Sequence, residues 1–261
     1  MKYKQPIINV AFFLLLITQL VLCFYSVNKG AANTDEFTTA LQLRFTPYLL
    51  MIDLYNMIDI IVHLFFMEAT LITLRYTKFF FIIISITIQL IVLYPVIVKK
   101  MNWSISGFFL IGYLFFTASV VTVFNRALHY NDLMDHASFC CVALLMNILF
   151  VEQNFLKLVG ITILYSLATF LLAGTKFPLA IMAIIFFILT ISRFLNIGIK
   201  SKAVIVALYI SLLVAIEYIY IQSYYGGWDG FANGYKIIKQ IFFNTTFPIY
   251  IVDVIAFLIA R

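Results

Sequence analysis

The sequence predicts an all-α, polytopic membrane helix bundle of about eight or nine transmembrane segments, forming one integral membrane domain over residues 1–261. Three observations carry that expectation. Hydrophobic residues make up 64% of the chain and charged residues only 11%, an excess that a soluble domain of this size has no interior to hide. The apolar residues fall into eight long runs: 7–27, 79–98, 103–125, 137–152, 155–173, 177–197, 203–223 and 241–260. Runs near 20 residues match a hydrocarbon core of about 30 Å at a helical rise of about 1.5 Å per residue. Finally, the runs lack the roughly ten-residue alternation of a membrane barrel, and backbone groups in lipid must find partners within their own segment, so the spans are helices.

Taken in order, Met1-Lys2-Tyr3-Lys4 before the run 7–27 resembles a signal anchor, with no small-residue cleavage site near Val27-Asn28-Lys29, so the segment is expected to be retained. Residues 28–47 form the longest polar connection, where Asn33-Thr34-Asp35-Glu36 suits a helix cap and first turn. The next segment, 48–74, has span length but carries Asp53, Asn56, Asp59, His63 and Glu68. A second polar patch, Asn125 to His136, lies between two runs, and Gly226-Gly227-Trp228-Asp229-Gly230 marks a tight loop. Cys23, Cys140 and Cys141 lie within apolar runs without C-x-x-C spacing, as packing residues do.

Connections this short leave no room for a soluble catalytic domain, so any chemistry sits between helices or on loops. The net charge of +6 does not point to nucleic acid: the 17 Lys and Arg stand singly or in pairs at run ends, where snorkelling cations and orientation signals belong. If every segment including 48–74 crosses, the two sides receive nearly equal numbers of these cations. If 48–74 instead lies against other helices without crossing, Lys99, Lys100, Arg193, Lys200 and Lys202 fall inside, and 126–136, 174–178 and 224–235 outside. The second arrangement is preferred.

Within 48–74, Asn56, Asp59 and His63 fall within about 60° on a helical wheel, with Asp53 about 60° further round. An ionised side chain in lipid costs several kcal/mol, so such a stripe faces protein or water. It reads either as a substrate or ion path, with Asp59 and His63 as an i,i+4 pair, or as the wet side of an interfacial segment. In the second patch His129, Asp132 and His136 lie at i, i+3 and i+7, a set able to ligate zinc or iron, though without the spacing of a zincin motif. Arg126 and His129 also suit anion binding or acid–base work. Glu217 and Asp253 stand singly in apolar runs, each needing a partner. No phosphate-binding glycine loop, nucleophile elbow or dinucleotide fingerprint occurs, and nothing calls for a cofactor.

Residues 126–197 run as a His129-Tyr130-Asn131 turn, two helices in a hairpin, then Leu171-Leu172-Ala173-Gly174-Thr175-Lys176-Phe177-Pro178 opening a further helix. This pattern resembles the central part of bacterial O-antigen and capsular polysaccharide polymerases and ligases, where a His-Pro-Asn-like turn precedes two helices and a Thr-Gly-Ser-Arg-like turn. Tyr130 stands in place of the proline and Lys176 in place of the usual arginine, and the large external loop of that family is missing. The resemblance implies transfer or polymerisation of undecaprenyl-diphosphate-linked glycans in the bacterial inner (cytoplasmic) membrane, with no metal. Arg126, His129 and Lys176 would form the catalytic set on the outer surface, and the partners would be the bilayer and a lipid-linked oligosaccharide. Two other classes fit the residues: a transporter or channel subunit using Asp53, Asn56, Asp59 and His63, and a structural subunit among other membrane subunits of a larger complex.

Overall fold

The computed structural model describes residues 4–26, 53–66, 70–121, 128 and 130–233, and every element among them is a helix. They are α1 (Lys4–Ser26), α2 (Asp53–Phe65), α3 (Leu71–Tyr94), α4 (Ile105–Val121), α5 (Tyr130–Phe150), α6 (Phe155–Thr175), α7 (Phe177–Leu189) and α8 (Ile199–Tyr225). Five stretches have the length and apolarity to cross a membrane: Ile72–Lys100, Asn131–Phe150, Phe155–Thr175, Phe177–Phe194 and Ile199–Tyr225. Their outward surfaces are apolar, with Ile91 68% and Val214 64% exposed, where a soluble protein would present charge. The protein is an integral membrane protein.

The chain divides into two compact units, Met1–Tyr218 and Ile219–Arg261. In the first, α5 and α6 form a hairpin across a four-residue turn. Gln153 closes that turn by donating from Nε2 to the carbonyls of Asn147 (2.6 Å) and Val151 (2.8 Å), and Asn154 caps α6 by accepting from the Lys157 amide at 2.8 Å. The core gathers around a three-ring stack: Tyr165 to Phe187 at 4.7 Å and Phe187 to Tyr209 at 4.3 Å between centroids. Lipid offers no partner to a phenol, so each hydroxyl is satisfied internally. Tyr165 donates to the Ala183 carbonyl at 2.9 Å, and the Tyr209 hydroxyl meets Thr169 Oγ1 at 3.0 Å.

Residues 48–74 do not make one helix. Thr70 and Thr73 form a reciprocal capping box: Thr70 Oγ1 accepts from the Thr73 amide at 3.2 Å, and Thr73 Oγ1 from the Thr70 amide at 2.6 Å. A new helix therefore starts at Leu71, eight residues before the apolar run from 79 suggests. The 13 described residues of α2 span about 20 Å. At its other end α3 passes into a π-turn, Pro95–Lys100, because Pro95 has no amide hydrogen to give the α-helical ladder. The Met101 amide then reaches back to the Val96 carbonyl at 2.9 Å, and Asn102, with φ of 56°, turns the chain out of the helix.

Lysines and arginines gather where α3, α7 and the α5–α6 turn end and α8 begins. Lys99, Lys100, Arg193 and Lys200 are exposed there, and Lys202 donates to the Ser192 carbonyl at 2.8 Å. At the opposite end of this unit lie α2, the starts of α3, α5 and α7, and the finish of α6. Phe65 stacks on Phe80 at 5.9 Å and Phe66 approaches Tyr76 at 6.4 Å, holding α2 against the head of α3.

The described part of the second unit begins in the last turns of α8. Gly226 and Gly227, at φ of 66° and 116°, occupy the left-handed region and reverse the chain, as the glycine-rich spacing predicts. A helical turn from Trp228 follows, with Phe231 set edge-on to Tyr225 and Trp228.

Candidate functional site

Side chains that carry chemistry meet at the end of the bundle formed by α2 and the heads of α3, α5 and α7. Helix α5 begins at Tyr130, so the second half of the 125–136 patch is helix rather than loop. Asp132 sits in its first turn and His136 one turn on, both buried and turned toward α3. The Lys78 ammonium meets Asp132 Oδ2 at 3.0 Å, with the Lys78 side chain fully buried and that of Asp132 7% exposed. Phe81 lies edge-on to the His136 ring at 5.7 Å between centroids. Gln89 Nε2 donates to the His136 carbonyl at 3.3 Å and to Ser85 Oγ at 3.0 Å, and Asn147 Nδ2 donates to the Val92 carbonyl at 2.6 Å.

These contacts order α3 and α5 as parallel neighbours joined by a polar seam, with the ion pair at its outer end. Two buried polar atoms in these helices, Thr77 Oγ1 and His136 Nδ1, have no hydrogen-bond partner among the described residues.

By hydropathy Lys78 is one more cation at a run end, because the apolar run starts one residue later. A signal was available: Lys78, Phe81, Ser85, Gln89 and Val92 recur at three- and four-residue intervals, one face of a helix with a polar residue at most turns.

Lys176 stands alone between α6 and α7. Its φ of −154° and ψ of 84° break the helix, while Thr175 folds its hydroxyl onto the Leu171 carbonyl at 2.7 Å and Pro178 starts α7 without needing an amide. The Lys176 side chain is exposed. Two residues earlier Gly174 faces Met57 of α2; a Cβ there would lie 2.5 Å from two Met57 side-chain atoms, so any larger residue forces Met57 to shift. The crossing brings α2 to the same end as Lys176.

The polar stripe of α2 turns away from that contact. Met57, Ile58, Ile61 and Val62 are buried, which leaves Asp59 and His63 on the opposite face. The two pair at i,i+4, with His63 Nδ1 3.2 Å from Asp59 Oδ1 and 2.9 Å from the Asp59 carbonyl, and the His63 side chain is 50% exposed. Asp53 and Asn56 lie in the first turns of α2, and their side chains fall outside the described residues. So do Arg126, His129, Glu68 and Asp253. Glu217 is half-buried in α8.

Among the described residues no group of three or more His, Cys, Asp and Glu side chains is placed to hold a metal ion. Of the candidate set His129, Asp132 and His136, the last two share a buried face, but the Asp132 carboxylate is engaged by Lys78. No protein-family model, curated protein or solved structure matches this chain.

Proposed function

We propose that this protein transfers or polymerises undecaprenyl-diphosphate-linked glycans at the outer face of a bacterial inner membrane. The observation that carries the reading is the exposed Lys176 at the end of the bundle opposite the lysine-rich one. The positive-inside rule puts the lysine-rich end in the cytoplasm, so Lys176 faces out. In this reading Arg126 and His129, which precede Tyr130 in sequence, act on the same side. With α1, α4 and the run 241–260 as further spans, eight crossings accompany the short α2.

In this reading an acceptor sugar hydroxyl attacks the anomeric carbon of a lipid-linked donor. The bond from that carbon to the diphosphate oxygen breaks, and the lipid diphosphate departs with the electron pair. Arg126 and Lys176 stabilise its growing negative charge, Arg126 through its planar fork and Lys176 as a point charge. His129 takes the hydroxyl proton. No metal or cofactor is used.

The test is deletion of the gene in its source organism, with surface polysaccharide chain length read on a gel. Loss of the ladder to single repeat units, rescued by wild type but not by Lys176→Ala or Arg126→Ala, supports the reading; an unchanged ladder removes it.

The buried Lys78–Asp132 pair favours a second reading, transport, since charged groups inside a bundle often line polar paths. There Asp53, Asn56, Asp59 and His63 would carry the path, and Asp59→Asn or His63→Gln would abolish uptake while leaving the ladder intact.

A further inference from the structure

We infer that the groove between α3 and α4 seats an acyl chain of an anionic phospholipid, with the lipid phosphate held by Lys99 and Lys100 at the groove mouth. The site lies at the end of the bundle opposite Lys176 and is independent of the transfer chemistry proposed there.

Two aromatic rings and a glycine shape the groove. Thr87, Leu90, Ile91 and Tyr94 stand at i, i+3, i+4 and i+7 along one side of α3, and Phe108 of α4 completes the lining around a volume of about 310 Å³. Gly112 lets α4 press against Leu90, since a Cβ there would lie 2.9 Å from Leu90 Cδ1. Nearer the lysine-rich end, the Tyr94 ring meets Phe108 edge-on at 5.3 Å between centroids. The walls are almost wholly hydrocarbon, and Ile91 stands 68% exposed, which suits an alkyl chain rather than a polar ligand.

Charge complementarity names the headgroup. Thr87 to Lys99 covers roughly 17 Å along the axis, close to one leaflet's share of a bilayer about 40 Å thick, so a chain in the groove carries its phosphate to the level of the lysines. In a continued α-helix Lys99 would stand about 140° round from Tyr94, but a π-turn bonds i to i+5 and brings that residue back toward the Tyr94 side. Neither Lys99 nor Lys100 is joined to a carboxylate among the described residues, and Lys157 at the head of α6 is near enough to be repelled by the charge of Lys99. Cations gathered beside a groove between spans favour an anionic lipid. Only residues 101–104 separate the π-turn from α4, so the head of that helix adjoins the same mouth. Ser104 caps it by accepting from the Gly107 amide at 3.1 Å, which leaves the other first-turn amides to add positive potential. Trp103, 47% exposed, marks the interface level beside them.

The full-length protein, stripped of lipid in a mild detergent, is titrated with phosphatidylglycerol or phosphatidylcholine of equal chain length, and bound lipid is counted by native mass spectrometry. Wild type is expected to take up one phosphatidylglycerol with about 20-fold higher affinity than phosphatidylcholine, the scale of two lysines close to one lipid charge. Lys99→Gln/Lys100→Gln, at two exposed positions, should bring phosphatidylglycerol down to the affinity of phosphatidylcholine and leave the latter unchanged. Thr87→Trp fills the groove from an exposed position and should weaken both lipids about tenfold through lost chain contacts. If that variant does not fold, Ile91→Trp fills the same wall.

Equal affinity of the wild type for both lipids overturns the inference. So does an unchanged phosphatidylglycerol preference in the lysine variant, or undiminished affinity in the groove variant. None of these outcomes bears on whether the protein polymerises glycans.

Discussion

Gly174 and Met57 meet where α2 crosses α6, and Lys78 and Asp132 pair between α3 and α5. The two contacts answer differently to mutation. Gly174→Ala places a methyl group in the Met57 side chain and is expected to cost about 1–3 kcal/mol through overpacking. Combined with Met57→Ala the overpacking disappears, so the Gly174→Ala step costs less in that background, a coupling that a double-mutant cycle by thermal unfolding in nanodiscs measures. Lys78→Met leaves a buried carboxylate without its ammonium and is expected to cost about 3–5 kcal/mol, whereas adding Asp132→Leu recovers most of that loss. A Lys78→Met protein as stable as wild type would show that water reaches the pair. At this scale the sequence was half legible. Asp132 and His136 were placed on one helical face, as they are found, but Lys78 was hidden by its position at the edge of a hydropathy run. Hydropathy averages along the chain and cannot see which face a single charge occupies; the spacing of Ser85 and Gln89 behind Lys78 can.

Thr70 decides where two elements divide. The capping box it forms with Thr73 satisfies amides that would otherwise be orphaned at the start of α3, and so fixes where that helix begins. Thr70→Ala is expected to lose about 1 kcal/mol, seen as a lower unfolding temperature. The larger consequence is topological. Since Met57 of α2 meets Gly174 near the finish of α6, residues 63 and 176 lie toward one end of the bundle and residue 100 toward the other. With Cys23, Cys140 and Cys141 replaced by alanine, His63→Cys and Lys176→Cys should both react with an impermeant maleimide added outside intact cells. Lys100→Cys should react only after permeabilisation. Labelling of residue 100 from outside would reverse the orientation. The long spans were readable because runs of 20 apolar residues have one physical explanation in lipid. The break at Thr70 was not, because two threonines three residues apart alter hydropathy hardly at all while supplying two hydrogen bonds.

Among the described residues of the first unit, exposed cations sort largely by end. Exposed lysines and Arg193 collect where α3 and α7 finish, and the opposite end combines an exposed Lys176 with a buried ion pair. Such an asymmetry is the kind that orients a bundle in the membrane, and in the proposed function it would present Lys176 to an anionic, lipid-borne substrate. Nothing in the apolar composition distinguishes an enzyme from a transporter, because both need the same lipid-facing surface; only the few polar residues separate them. The most direct measurement is reconstitution of the purified protein in nanodiscs with undecaprenyl-diphosphate-linked repeat units, with product length read on a gel. The account predicts a ladder of polymers from the wild type and single units from Lys176→Ala. Single units from the wild type, or a full ladder from Lys176→Ala, would contradict it.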